Sequence, residues 1–228
     1  MVAVYCDGAD LGSMAAYVSD PRINGFTTNP SLMKRAKIED YRSYAKAVLG
    51  TVAKKPVSFE VLADTPEEMA QQAMEIASWG SNVYVKVPIT DTKGALLTAL
   101  IKKLSDEGLK LNVTAVMTYE QIMAATLALK HGDHILSIFA GRIADTGRDP
   151  SSFIRYAKGF SYPGTKILWA SAREIYNVIQ AELAGADIIT LTPELLGKLA
   201  MRGKDLHDYS LETVQQFYAD GRGIAFAS

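Results

Sequence analysis

The sequence predicts an α/β fold, a closed (β/α)8 barrel carrying one additional C-terminal helix, on three observations. Eight short β-branched runs alternate with stretches of helical composition, the pattern of repeated βα units around a parallel sheet. The 228 residues suit one such barrel as a single domain spanning 1–228. Helix-start signals recur where the barrel needs them, as in Thr65-Pro66-Glu67-Glu68 and Thr192-Pro193-Glu194, each an N-cap followed by proline and acidic residues.

In chain order, strands are predicted near Val2–Asp7, Gly25–Thr28, Val57–Leu62, Asn82–Val87, Lys110–Ala115, His134–Phe139, Thr165–Ala170 and Asp187–Leu191. Between and after them the helical patterns are Asp10–Ser19, Ser31–Leu49, Pro66–Trp79, Lys93–Glu107, Tyr119–Lys130, Ser151–Lys158, Arg173–Leu183 and Pro193–Arg202. An open doubly wound sheet usually has five or six strands, so eight favour closure. Beyond the eighth unit, a segment at about 210–220 places Leu211, Val214, Phe217 and Tyr218 at helical spacing. That helix needs an apolar surface to cover, on its own barrel or on a neighbouring copy.

Composition narrows the function classes. Lys plus Arg number 24 against 25 Asp plus Glu, which argues against a surface built to grip nucleic acid or an anionic membrane. Cys6 is the only cysteine, so an intramolecular disulfide and a thiolate metal cluster are both excluded, and a reducing, cytoplasmic location is expected. The N-terminus lacks a basic region followed by a long apolar stretch, and no uncharged apolar run approaches the roughly 18 residues of a membrane span. No linker or low-complexity tract marks a further module.

Strand parity locates the chemistry. In Asn82-Val83-Tyr84-Val85-Lys86-Val87-Pro88, the three valines share one face and Tyr84 and Lys86 the other. The valines suit the layer between strands and helices, which aims Lys86 into the barrel near the strand's C-terminal end, where barrel enzymes keep their sites. A lysine amine in such a place is a candidate nucleophile that attacks a carbonyl to make a Schiff base. The same parity test turns Asp7, Thr28, Glu60, Asn112, Thr114 and Ser171 inward at other strand ends. Six unpartnered polar groups in a packed core would each cost about 1–3 kcal/mol, so their convergence indicates a site. Taken singly, each also admits a structural role: Asp7 as a cap, Thr28 and Asn29 as turn ties, Ser171 as an N-cap. Glu60 with Thr114 is expected to hold a water near the amine, and Asp7 to serve a sugar hydroxyl. Arg142 after strand six and Ser171 with Arg173 after strand seven form a candidate anion site, with the helix beginning near Arg173 adding a positive N-terminus.

Asp7, Thr27-Thr28-Asn29-Pro30-Ser31, Ser58-Phe59-Glu60-Val61, Val85-Lys86-Val87-Pro88, Asn112-Val113-Thr114, Phe139-Ala140-Gly141-Arg142-Ile143 and Ala170-Ser171-Ala172-Arg173 stand in an order that resembles the transaldolase and fructose-6-phosphate aldolase family, specifically its short-chain members. The resemblance runs along nearly the whole chain. It implies that Lys86 is the Schiff-base lysine and Asp7 the acid/base group, with Glu60 and Thr114 holding a catalytic water. It further implies Thr28, Asn29 and Asn112 as substrate contacts, Arg142, Ser171 and Arg173 as the phosphate site, no metal or organic cofactor, and a homo-oligomer. Members that cleave fructose 6-phosphate carry Gln and Tyr where this chain has Glu60 and Phe139; transaldolases typically carry the pair found here. A phenol at Phe139 would add a proton donor and ease release of the three-carbon unit to water. Two departures stand out: Asp7-Gly8-Ala9 replaces the usual Asp-Thr-Ala or Asp-Thr-Ser, and the stretch from Gly203 onward resembles only a subset of relatives.

The leading expectation is therefore a transaldolase acting on sugar phosphates through Lys86. The alternatives are a fructose-6-phosphate aldolase, a transaldolase of a sulfonated ketose such as sulfofructose, and a non-catalytic barrel that only binds sugar phosphate.

Overall fold

A computed structural model describes residues 1–224. Eight parallel strands, β1 (Ala3–Asp7), β2 (Ile23–Thr27), β3 (Val57–Glu60), β4 (Val83–Pro88), β5 (Leu111–Val116), β6 (His134–Ile138), β7 (Thr165–Trp169) and β8 (Ile188–Leu191), pair in sequence order. β8 returns to β1, with Cys6 opposite Leu191, and closes the barrel. This TIM-barrel architecture is the one predicted.

Two apolar layers hold it. Val83, Val85 and Val87 of β4 join the large core between strands and helices, as their shared face requires. There they meet helices whose apolar residues recur at helical spacing, such as Met69, Ala73 and Ile76 of α4 (Pro66–Ser78) and Leu100, Ile101 and Leu104 of α5 (Thr98–Asp106). Each fully buried side chain of this size contributes about 1.5–3 kcal/mol. Inside the barrel a second cluster comprises Tyr5, Tyr84, Ile135, Leu168, Ala170 and Ile188. Gly25 makes room for it, because a Cβ at that position would lie 2.6 Å from the Tyr5 ring.

The remaining helices are α1 (Leu11–Val18), α2 (Pro30–Arg35), α3 (Tyr41–Val52), α6 (Tyr119–Ala128), α7 (Ala140–Ala144), α8 (Ser151–Phe160), α9 (Tyr176–Ala184), α10 (Pro193–Lys198) and α11 (Leu206–Gly221). Three predicted helices differ from expectation for identifiable reasons. The continuous helix predicted over 31–49 is two: Lys37 takes a positive φ of 55°, and Asp40 caps α3 by accepting from the Arg42 and Ser43 amides at 3.0 and 3.3 Å. The helix predicted from Lys93 begins at Thr98, since the preceding chain folds into a small bridge between Thr90 and Leu96. The helix predicted from Arg173 begins at Tyr176, because Asn177 Oδ1 already accepts the Arg173 and Glu174 amides at 2.7 and 3.1 Å. The short α7 has no counterpart in the sequence reading.

At the C-terminus, α11 is longer than predicted and buries none of its residues on its own barrel. Leu211, Val214, Phe217 and Tyr218 are all exposed.

Candidate active site

The C-terminal ends of the strands surround a cavity of about 440 Å³. Asp7, Asn29, Glu60, Lys86, Asn112, Thr114, Phe139, Arg142, Ser171 and Arg173 all line it, together with Thr27, Arg35, Ser137 and Thr190. Strand register explains the convergence: Glu60 stands beside Lys86, Lys86 beside Asn112, and Pro88 beside Thr114 on three consecutive strands, while Asp7 stands beside Thr27.

Lys86 is the centre of this arrangement. Only 6% exposed, it donates to the Thr28 carbonyl at 2.8 Å and lies 3.1 Å from Glu60 Oε2. Pairing with a carboxylate and a carbonyl is what makes a buried lysine tolerable, because removing an unpaired charge from water costs several kcal/mol. Glu60 is therefore both the counter-ion and the nearest proton acceptor. Its own backbone carbonyl accepts from Tyr41 Oη at 2.9 Å, which ties β3 to the start of α3.

Asp7 behaves differently. Burial pushes its carboxyl above the usual aspartate range, more than Lys86, the Thr27 hydroxyl and Asn29 pull it down, and nearby Glu60 pushes the same way as burial. A carboxyl so placed retains a proton at higher pH than a surface aspartate and can return it to a substrate oxygen. It is not a helix cap; Asp10 caps α1, accepting from the Ser13 amide at 2.8 Å.

Thr114 Oγ1 is buried, faces the cavity and has no hydrogen-bond partner among the described residues. A buried hydroxyl left without a partner costs about 1–3 kcal/mol, and this one is open to a molecule in the cavity. Asn112 is instead fully engaged: Nδ2 donates to Ser58 Oγ at 3.1 Å and Oδ1 accepts from Ser137 Oγ at 2.7 Å, fixing the amide across β3 to β6. Strand parity alone does not assign either serine to the site, although Ser137 is the lone polar residue in Ile135-Leu136-Ser137-Ile138.

Thr28 is the one predicted contact that the cavity lining excludes. Its Oγ1 donates to the Ser58 carbonyl at 2.9 Å, so it serves the site only through its own carbonyl, and Thr27 takes the inward place. Asn29 lines the cavity and also caps α2, accepting from the Leu32 amide at 3.0 Å.

The anion-site residues gather at the mouth with less help than expected. Arg173 is held by Asp145, with Nε 3.1 Å and Nη2 2.5 Å from its two carboxylate oxygens, and no helix N-terminus lies at Arg173. Arg142 sits with its guanidinium 5.4 Å from the Phe139 ring centroid. Ser171 is not an N-cap; it adopts a left-handed φ of 63°, close against α7, where a Cβ on Gly141 would fall 1.6 Å from the Ser171 carbonyl oxygen. Ala115, also in the lining, has a φ of 61° where β5 shifts register against β6. The two positive-φ residues thus flank Phe139.

The sequence model of the Transaldolase/Fructose-6-phosphate aldolase family matches residues 4–226. The chain belongs to this family of enzymes. It is 30% identical over 225 residues to a protein from Dehalococcoides mccartyi named "Probable transaldolase", covering 97% of this chain and 98% of that one. It is 36% identical over 200 residues to a "Probable transaldolase" from Maridesulfovibrio salexigens, covering 86% and 89%. Among solved structures, the fold is similar to a putative lyase/mutase from Burkholderia cenocepacia, with a TM-score of 0.63, 11% identity and coverage of 96% and 91%. It is also similar to 3-hexulose-6-phosphate synthase from Salmonella typhimurium, with a TM-score of 0.60, 13% identity and coverage of 84% and 89%. At such identities these structures establish the barrel alone. Among the described residues no group of metal-ligating side chains gathers, and no helix is long and apolar enough to cross a membrane.

Proposed function

We propose that this family member is a transaldolase that moves a dihydroxyacetone unit from a ketose phosphate of the fructose 6-phosphate type to an aldose phosphate through a Schiff base on Lys86. The observation that carries the reading is a buried lysine 3.1 Å from a carboxylate, inside a cavity that also contains a second carboxylate raised by burial.

In this mechanism Glu60 takes a proton from Lys86, and the freed Nζ attacks C2 of the ketose, whose carbonyl oxygen gains a proton. The carbinolamine loses water as the C2–N double bond forms; Glu60 and Thr114 Oγ1 hold the water that carries these protons. Asp7 removes the proton from the C4 hydroxyl, the C3–C4 bond breaks, and its electron pair passes into the iminium to give an enamine. The C4 fragment leaves as an aldehyde. An incoming aldose phosphate reverses these steps: the enamine carbon attacks its aldehyde, Asp7 returns the proton, and hydrolysis frees Lys86. No metal or organic cofactor is needed, since the lysine itself supplies the electron sink.

Glu60 and Phe139 support transfer over simple cleavage, because Phe139 offers no phenolic proton with which water could release the enamine. Arg142, Ser171 and Arg173 suit the distal phosphate or, in an enzyme acting on a sulfonated ketose, a sulfonate. The unburied apolar face of α11 supports assembly with further copies of the chain, because a helix of this length is marginal in water without packing.

The test supplies fructose 6-phosphate with and without erythrose 4-phosphate. Transfer is expected to exceed free dihydroxyacetone release by at least about tenfold, a barrier difference of about 1.4 kcal/mol. Release that does not depend on acceptor would make the enzyme an aldolase, and binding without turnover would leave only a sugar-phosphate binding barrel.

A further inference from the structure

A second hydrogen-bonded chain lies beneath Asp7. Thr27 Oγ1 donates to Asp7 Oδ1 at 2.8 Å and lies 2.6 Å from Thr190 Oγ1. Thr27 and Thr190 are 3% and 5% exposed, so water does not compete for these hydroxyls. β1 separates the two strands that carry them: Asp7 is in register with Thr27 of β2, and Thr190 of β8 is in register with Tyr5, one inward layer below.

A hydroxyl has one proton, and an ionised carboxylate only accepts. With Thr27 donating its proton to Asp7, the contact with Thr190 requires Thr190 to donate. The chain then runs one way, from Thr190 through Thr27 to Asp7 Oδ1. Because Oδ1 already accepts, a proton arriving at Asp7 goes to Oδ2. The charged groups facing this carboxyl are Lys86 from β4 and Glu60 from β3, and Asn29 at the start of α2 lines the cavity beside it. None of these reaches Thr190, which faces the site with no other polar partner among the described residues.

We propose that Thr190 is a positioning residue: it fixes the direction of the Thr27 hydroxyl, which strengthens the Thr27–Asp7 hydrogen bond and keeps the exchangeable proton on Asp7 Oδ2. Chained hydrogen bonds polarise one another, so loss of the Thr190 donor leaves Thr27 free to turn and weakens its bond to the carboxylate. This inference rests on the acid/base role proposed for Asp7, but it makes a claim about Asp7 that is measured without substrate.

Thr190→Val and Thr190→Ala remove the hydroxyl in two sizes, and Thr190→Ser retains it. The titration of Asp7 is followed by the carboxyl 13C shift in the free enzyme, alongside the pH profile of kcat. Both deletions are expected to move the Asp7 titration and the acidic limb of kcat upward together, by about half a pH unit, or threefold in proton affinity. The expected fall in kcat is about three- to tenfold with little change in KM, and Thr190→Ser returns all three values to those of the parent enzyme. A titration identical in the parent and both deletions would overturn the inference, as would a change that Thr190→Ser fails to rescue. Borohydride trapping in the parent enzyme separates the two readings: trapping absent there defeats the Schiff-base proposal, whereas trapping present with an unmoved titration defeats only the role of Thr190.

Discussion

The two ends of the barrel use the same residue types and reach opposite electrostatic outcomes. At the N-terminal end, Asp133 lies between Lys166 and Lys110, 2.7 and 3.5 Å away, and both ammonium groups sit within 6 Å of the Tyr84 ring centroid. Burial raises the Asp133 carboxyl, but Lys166, Tyr84 and Lys110 together carry it below the ordinary range. At the C-terminal end, Lys86, Thr27 and Asn29 do not offset the burial of Asp7, which stays raised. The lower end is a plug whose charges satisfy one another. The upper end keeps a carboxyl that readily holds a proton, a hydroxyl with no partner at Thr114, and two left-handed residues at Ala115 and Ser171. The groups available for chemistry gather above.

Substitution of Asp7 by Asn is the most severe way to break this contrast. Turnover is expected to fall about 10²–10⁴-fold, the usual worth of a general acid/base. The sign of the stability effect is fixed by the raised carboxyl. Native protein holds the proton to higher pH than unfolded chain, so the ionised group costs stability as pH rises above the ordinary aspartate value, and Asp7→Asn is expected to melt no lower than the parent at pH 7. A melting scan with a kcat measurement checks both, and a large loss of stability with retained turnover would reverse the assignment. Asp133→Asn is the matched change at the plug: kcat is expected to hold while the melting temperature drops by a few degrees at most, because partly exposed ion pairs contribute under about 1 kcal/mol.

Phe139→Tyr, with Glu60 left in place as the proton acceptor, sharpens the comparison within the upper end. It is expected to raise acceptor-independent dihydroxyacetone release about tenfold, the worth of one added hydrogen bond in the transition state. An assay of free dihydroxyacetone without acceptor measures it; no increase would remove Phe139 from the account of transfer.

The smallest effect concerns His134 at the foot of β6, where Nδ1 accepts the Leu111 amide at 3.2 Å and Nε2 lies 3.3 Å from Ser105 Oγ. Burial holds its imidazole below the usual histidine value, against the nearby Asp133. The neutral ring therefore contributes stability above pH 6.5, and this contribution is lost as the pH falls below that value through the folded-state range. Denaturant midpoints between pH 7.5 and 5 are expected to decline with a histidine component that His134→Asn removes. Catalysis above should follow Asp7 rather than His134.

Much of this arrangement was legible in the sequence, because a strand buried on both faces still alternates. Val83, Val85 and Val87 point one way, so Tyr84 and Lys86 must point the other, and the same logic brought Asp7, Glu60, Asn112 and Thr114 to the cavity. It failed at β2. Gly25 has no side chain to mark its face and Phe26 fits either layer, so parity alone turns Thr28 inward where the structure turns Thr27. Asp145 was invisible as the partner of Arg173 because 28 residues separate them. The chain Thr190–Thr27–Asp7 spans three strands for the same reason, and only the closure of β8 onto β1 brings it together. Local pattern identified the faces, whereas contacts between distant segments had to be seen.

The central claim is that Lys86 forms the covalent bond with the ketose, and reductive trapping tests it most directly. Borohydride added to the enzyme with fructose 6-phosphate, followed by peptide mass spectrometry, is expected to place a dihydroxyacetone-derived or ketose-derived adduct on Lys86, and none should form on Lys86→Met. An adduct that persists in Lys86→Met, or turnover by the parent enzyme with no trappable adduct, would contradict the account.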